Sequence, residues 1–150
     1  VSYLVINARE QNLLLYGPSG PVVRKVTRDA RQTQAYAKQY APVDQGPLRA
    51  SITARVAAQP SQSRVVAMIG SALPYAIYQE TGTGIYGPRG APIRPKRGPY
   101  LVFTPKGGNK PVFARQVRGA PATRFLTKAL ALTAASSGYT LRSGRNRSLI

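Results

Sequence analysis

The stretch Ala41-Pro42-Val43-Asp44-Gln45-Gly46-Pro47-Leu48-Arg49-Ala50-Ser51-Ile52 divides two patterns of different period. Before it, Val22, Val23, Val26, Ala30, Thr33, Ala37 and Tyr40 recur at spacings of three and four. That spacing predicts an amphipathic helix of about 19 residues. After it, Leu48, Ala50, Ile52, Ala54 and Val56 alternate with Arg49, Ser51, Thr53 and Arg55, which predicts a half-buried strand over 48–58. Pro42 ends the helix because its ring removes a backbone donor and pushes Ala41 out of the α region. Gly46 offers φ > 0 where the chain reverses, and the Asp44 carboxylate suits the backbone N–H groups of a turn. The cluster reads as punctuation between helix and strand.

Outward from this turn, Arg64-Val65-Val66-Ala67-Met68-Ile69-Gly70 predicts a second strand, and Gln59-Pro60-Ser61-Gln62-Ser63 predicts the loop of an antiparallel hairpin. Upstream, residues 1–16 are apolar and partly alternating and read as a short strand or arm. Gly17-Pro18-Ser19-Gly20-Pro21 breaks the chain, with Pro21 suited to a first helical turn. Downstream, Tyr75 to Glu80 makes one or two helical turns capped by Gly82. Glu80 either pairs with Arg49 or another arginine, or is simply exposed. Residues 91–118 read as another hairpin, with strands at Tyr100-Leu101-Val102-Phe103-Thr104 and Val112 to Arg118. Gly119-Ala120-Pro121 opens a final helix whose apolar face is Phe125, Leu126, Ala129, Leu130 and Thr133, fading at Ser136-Ser137-Gly138. The expected class is α+β. An antiparallel sheet of about four to five strands, built from two hairpins, packs with a long helix in the N-terminal half and a C-terminal helix. One domain spans 1–135, and a basic tail from 136 to 150 orders against a partner.

The composition narrows the chemistry. The 150 residues contain no Cys and no His, which removes disulfides, thiolate nucleophiles, imidazole bases and the usual zinc ligands together. No cofactor or metal is expected. No apolar run approaches the roughly 20 residues of a membrane helix, and the first residues lack the basic n-region of a signal peptide. Charge is the strongest signal, with 22 Lys and Arg against 4 acids, a net +18. The acids Glu10, Asp29, Asp44 and Glu80 all lie in the first 80 residues; residues 81–150 hold 13 bases and no acid. Such a chain repels its own copies unless a polyanion or an acidic partner neutralises it, and nucleic acid is the first candidate. The candidate DNA- or partner-facing residues are Arg89, Arg94, Lys96, Arg97, Lys106, Lys110, Arg115 and Arg118 around the second hairpin, with Arg142, Arg145 and Arg147 in the tail.

Two features of this region have competing readings. Gly82-Thr83-Gly84-Ile85-Tyr86-Gly87 spells the dinucleotide-binding glycine pattern, but that pattern needs a helix opening from it and an acid about 20 residues on. Gly-Pro-Arg-Gly follows instead and no acid lies downstream, so the run reads as a mobile glycine-rich loop. Tyr86, Tyr100, Phe103 and Phe113 are interleaved with the bases, as in a base-stacking surface. The plainer reading buries these rings in the core and turns only the bases outward.

Three blocks in order carry a resemblance: Ala41 to Ile52; Tyr75-Ala76-Ile77-Tyr78-Gln79-Glu80-Thr81-Gly82-Thr83; and Pro121-Ala122-Thr123-Arg124-Phe125-Leu126 with Ala129-Leu130. With the hairpin between the last two, residues 22–132 resemble the tail-completion, or neck, proteins of long-tailed bacteriophages, also known as minor tail components. Those proteins show a proline-valine-aspartate-threonine-glycine turn, matched by Pro42, Asp44 and Gly46. They also show a tyrosine-alanine…glutamate-x-glycine-threonine segment, matched by Tyr75, Glu80 and Gly82, and a proline-phenylalanine-leucine helix start. Here Gln45 replaces threonine, Arg118-Gly119-Ala120 stands where many relatives have histidine-proline-glycine, and Pro121 lies apart from Phe125. The resemblance implies a non-enzymatic α+β virion subunit that forms a ring, most often six-fold, between the head connector and the tail tube. Its partners would be copies of itself, head connector or adaptor proteins, tail tube or tail terminator proteins, and the genomic double-stranded DNA that passes through. Its places would be the virion neck and, during assembly, the host cytoplasm, with no membrane.

Two other readings compete. A general basic nucleic-acid-binding protein, ribosomal-protein-like, would use the +18 charge as its whole function. An enzyme would need a carboxylate or lysine centre, and no close pair of the four acids is visible in the sequence.

Overall fold

The computed structural model of the chain describes residues 7–42, 46–105 and 107–141. These fall into two units: Val1–Ala72 with Leu126–Ile150, and Leu73–Phe125.

The first unit begins with a helix where the apolar run suggested a strand. Asn7 caps α1 (Ala8–Tyr16), its side chain accepting from the N–H groups of Arg9 at 3.1 Å and Glu10 at 3.4 Å. An N-cap asparagine with glutamate three residues on is helix-start spacing, and it overrides the alternating, strand-like look of the apolar residues around it. Residues 1–6 lie outside the described set. Pro21 then occupies the first position of α2 (Pro21–Tyr40), where its missing N–H costs nothing. Asp29, Ala30, Thr33 and Ala37 form the buried stripe of α2. At Ala41 the backbone turns extended, at φ −64° and ψ 136°, before half-buried Pro42.

The central turn differs from the expectation. Val43, Asp44 and Gln45 lie outside the described residues. Gly46, exposed, is helical rather than left-handed, and it opens α3 (Gly46–Ser51), so the strand starts at Ile52 and not at Leu48. Leu48 and Ile52, both buried, are four residues apart, and that spacing shares one face in a helix as well as in a strand. Pro47 favours the first helical turn. Ser51 Oγ closes the helix by donating to Leu48 O at 2.7 Å, and Arg49 Nε donates to Lys38 O at 2.6 Å.

β1 (Ile52–Gln59) and β2 (Arg64–Ser71) pair antiparallel from Ile52 opposite Ser71 to Gln59 opposite Arg64. A short turn at Pro60–Gln62 and left-handed Ser63 join them. Ile52, Ala54, Val56 and Ala58, with Val65, Ala67 and Ile69 across the ladder, share the face that packs on α2, while Arg55 and Met68 point to water. Gln34 Nε2 ties α2 to the sheet by donating to Ile52 O at 2.8 Å.

α5 (Phe125–Ser137) buries Phe125, Ala129, Thr133 and Ala134, spaced for one helical face. It starts later than Pro121 suggests. Thr123 N and Oγ1 both donate to Gln79 O, at 2.9 and 2.7 Å, which holds that segment out of the helix, and Arg124 is left-handed at φ 54°. Leu130, expected on the buried face, is half exposed. Thr33 and Thr133 link α2 to α5, with 2.9 Å between their hydroxyl oxygens. Each hydroxyl also lies within reach of a carbonyl of its own helix, Asp29 O at 2.8 Å and Ala129 O at 3.2 Å.

The segment after α5 folds back onto α2 at its first residues. Tyr139 OH donates to Asp29 Oδ2 at 2.6 Å, Lys25 Nζ bonds the same oxygen at 3.1 Å, and the ammonium sits 5.0 Å from the centre of the Tyr139 ring. Tyr139 is therefore anchored, not part of a free tail. The hydrogen bond from Tyr139 holds the Asp29 carboxyl below its ordinary value; burial opposes it, and Lys25 and Ser137 add to it. The same bond raises Tyr139, with burial adding to it. Lys25 is also raised, first by its bond to Asp29. A depressed carboxyl stabilises the fold above its unfolded value near 3.8 and loses that contribution as pH falls through the lower folded value. Lys25 and Tyr139 add stability below their unfolded values and lose it as pH rises above about 10. Acid unfolding followed by circular dichroism should therefore steepen below about pH 3.8. Asp29→Asn should flatten that limb and cost roughly 1–3 kcal/mol at pH 7.

The second unit holds α4 (Ala76–Thr81), ended by Gly82 at φ 79°. It also holds a hairpin of β3 (Leu101–Phe103) and β4 (Val112–Ala114), with Leu101 opposite Ala114, Val102 opposite Phe113 and Phe103 opposite Val112. A bridge between Ile93 and Val117 extends the pairing of the two arms. Among the described residues the strands pair within each hairpin, giving two two-stranded sheets. The observed class is α+β, with a long helix in the N-terminal half and a C-terminal helix. No described helix is long and apolar enough to cross a membrane.

Among the described residues the buried Tyr75 hydroxyl has no hydrogen-bond partner. An unmet buried donor is a net cost of about 1–3 kcal/mol. Tyr75→Phe is therefore expected to keep the fold and raise its stability by about 1 kcal/mol, read from the urea midpoint.

Candidate functional site

The bases predicted around the second hairpin rest on a frame set by two crossing backbone segments. Thr83 N donates to Ala120 O at 2.9 Å, Ile85 N to Arg118 O at 2.8 Å, and Ala120 N to Thr83 Oγ1 at 2.9 Å. The crossing is too close for any side chain. A Cβ on Gly84 would meet Arg118 O at 2.0 Å, and one on Gly119 would meet Thr83 O at 2.2 Å. Both glycines also have positive φ, 64° and 91°. The glycine run is therefore a packed seam, not the mobile loop expected. No phosphate-cradling helix opens from it, because the next helical element is a single turn at Gly84–Tyr86. The sequence signal for the seam was a second glycine, Gly119, and it lay in the block where the chain departs from its resemblance.

Beyond the seam stands the basic surface. Arg89, Arg94, Lys96, Arg97, Lys110, Arg115 and Arg118 are all exposed. Lys106, Arg142, Arg145 and Arg147 lie outside the described residues. Residues 73–125 carry nine Lys and Arg against Glu80 alone, a net +8. Glu80 is half-buried on α4.

The interleaved aromatics are not core. Val102 and Phe113 face each other across the ladder and are 60% and 65% exposed. Tyr86, Tyr100 and Phe103 are exposed as well. Among the described residues a pair of three-residue strands makes no sheet broad enough to bury five large side chains, and the plainer reading fails. Arg115 stacks its guanidinium 6.0 Å from the centre of the Tyr100 ring, a cation–π arrangement at the hairpin base.

Two features of the first unit are not visible in the sequence. Arg24, Arg28 and Arg31 line a basic groove of about 460 Å³ along α2 with Pro18, Val23 and Thr27. Their spacings of three and four suggest only a solvated helix face. A second, apolar cleft of about 400 Å³ lies between α2, β2 and α5. Val26, Ala30, Val65, Ala67, Ile69 and Leu130 form its walls, and among the described residues no lysine or arginine lines it. The Asp29 carboxylate, its side chain 11% exposed, sits at its edge, already engaged by Tyr139 and Lys25. Among the described residues no three acidic side chains gather as a metal site would require. In comparisons with family models, curated proteins and solved structures, nothing matches this chain.

Proposed function

We propose that the chain is a structural virion subunit of the neck or tail-completion kind: a ring-forming protein that joins the head connector to the tail and surrounds the DNA passage. The observation that carries this reading is the second hairpin, which exposes aromatic and aliphatic side chains beside a dense set of cations. Exposed apolar side chains of that size mark protein–protein surfaces. The adjacent cations suit the phosphates of a duplex, read without sequence. A ring subunit needs both: a contact to its neighbour and a lumen that tolerates DNA. A four- to five-stranded sheet, as the sequence suggests, would then be completed only when copies associate.

A nucleic-acid binder of ribosomal-protein type accounts for the charge but gives no reason to leave Val102 and Phe113 uncovered. Sedimentation of the purified chain separates the two. The neck reading expects closed oligomers of the 16.1 kDa chain, or association with connector and tail proteins. A monomer that travels only with nucleic acid would overturn it. Duplex binding is expected to be independent of sequence and to weaken by about 10³-fold or more between 50 and 200 mM salt if six or more phosphates are contacted. Flat affinity across that range would remove DNA from the proposal.

A further inference from the structure

A ring closed by rotation needs two different complementary surfaces on each copy. Among the described residues the second hairpin exposes apolar side chains and the first unit holds an apolar cleft, and neither is covered. On the hairpin, Tyr100, Val102 and Phe113 share one face and expose together on the order of 300 Å² (taking roughly 150–250 Å² for a whole aromatic side chain). A standard interface buries about 800 Å² on each side. That one face thus supplies more than a third of one side. A pair of three-residue strands is also marginal unless packed on something. The cleft of about 400 Å³ between α2, β2 and α5 has room for one aromatic and one aliphatic side chain. Among the described residues no base lines it, and the acid at its edge, Asp29, is already paired with Lys25. Its described walls therefore set no unpaired cation against a cationic hairpin. β2 has no strand on its outer side among the described residues, so an incoming strand would find an open edge there.

We infer that the β3–β4 hairpin of one copy seats its Val102–Phe113 face in the α2–β2–α5 cleft of a second copy, and that this contact closes the ring. The inference rests on the ring reading and names the two surfaces that reading leaves open. In this contact the apolar side chains enter the cleft while the exposed Lys110 and Arg115 stay at its rim. Each copy gives its hairpin to one neighbour and its cleft to the other, so the contact propagates until rotation closes it.

The absence of cysteine makes the test direct. Full-length Phe113→Cys and Ala67→Cys proteins are prepared separately, mixed, and oxidised mildly. The expected product runs at twice 16.1 kDa and contains one of each chain. The double variant should give a ladder of cross-linked multimers. Phe113→Ser, a change at an exposed position, should keep the fold by circular dichroism and weaken self-association by about 30-fold or more. A double variant that forms only an internally bridged monomer overturns the inference, because the cleft is then filled by its own chain. So does a protein that associates normally by sedimentation but yields no cross-link between these positions, an outcome that leaves the ring reading standing. A chain that stays at 16.1 kDa and yields no cross-link overturns both.

Discussion

Gly119→Ala is expected to unfold much of the second unit, at a cost above about 3 kcal/mol. The residue sits at φ 91°, where an L side chain is strained by about 1–2 kcal/mol before any contact is counted. The added methyl would also meet Thr83 O at 2.2 Å and Thr83 C at 2.5 Å. Those atoms are backbone, and they are held by the bonds from Thr83 N to Ala120 O and from Ile85 N to Arg118 O. Relief requires the two segments to part, which forfeits hydrogen bonds worth about 1 kcal/mol each. Gly84→Ala should behave alike, since its methyl would reach Arg118 O at 2.0 Å. Gly90→Ala is the matched control: φ is 60° there, but nothing stands within 4 Å of the added atom. Urea titration should place it within about 1–2 kcal/mol of the unaltered protein. Hydrogen exchange at the amides of Thr83 and Ile85 should quicken in the first two variants and not in the control. Equal costs at all three positions would mean that the seam is not packed.

Phe125→Ala carries the second large effect. Phe125 is 0% exposed and is the first residue of α5. Removing a fully buried phenyl ring leaves a cavity and costs about 3–5 kcal/mol. A domain of this size has roughly 5–15 kcal/mol in total. Chemical denaturation should therefore show roughly a fifth or more of the stability gone, whereas Phe125→Leu should retain most of it. A loss under about 1 kcal/mol would show that the ring is not the anchor its burial indicates.

The elements with a long unbroken period were legible in the sequence. The stripe Val26, Ala30, Thr33, Ala37 fixed α2 because spacings of three and four cannot be met by a strand over that length. The β1–β2 hairpin was legible because Ile52 to Ala58 alternates cleanly and Pro60 interrupts it. Short segments misled. Leu48 and Ile52 satisfy both periods, so only the chemistry of Pro47 and Ser51 separates α3 from a longer strand. The leucines of α1 suggest a strand until the Asn7–Glu10 spacing is weighed against them. Of the functional surfaces, the exposure of the bases followed from charge alone. The exposure of Phe113 and Val102 did not, since aromatic residues in strands are usually covered and nothing local says that a hairpin lacks a covering layer. The apolar cleft joins α2, β2 and α5, and no single stretch of sequence contains it.

The bond between Asp29 and Tyr139 spans 110 positions of chain. A ribosome adding ~5–20 residues per second needs on the order of ten seconds to deliver the second partner after the first. During that interval the nascent α2 and its hairpin lack α5, and the stripe that α5 will cover stays wet. Residues 73–125 emerge whole in the meantime and need none of the later polypeptide to make their own seam. The order of folding thus runs against the order of the sequence: the inserted unit can mature first, and the unit begun earliest is closed last.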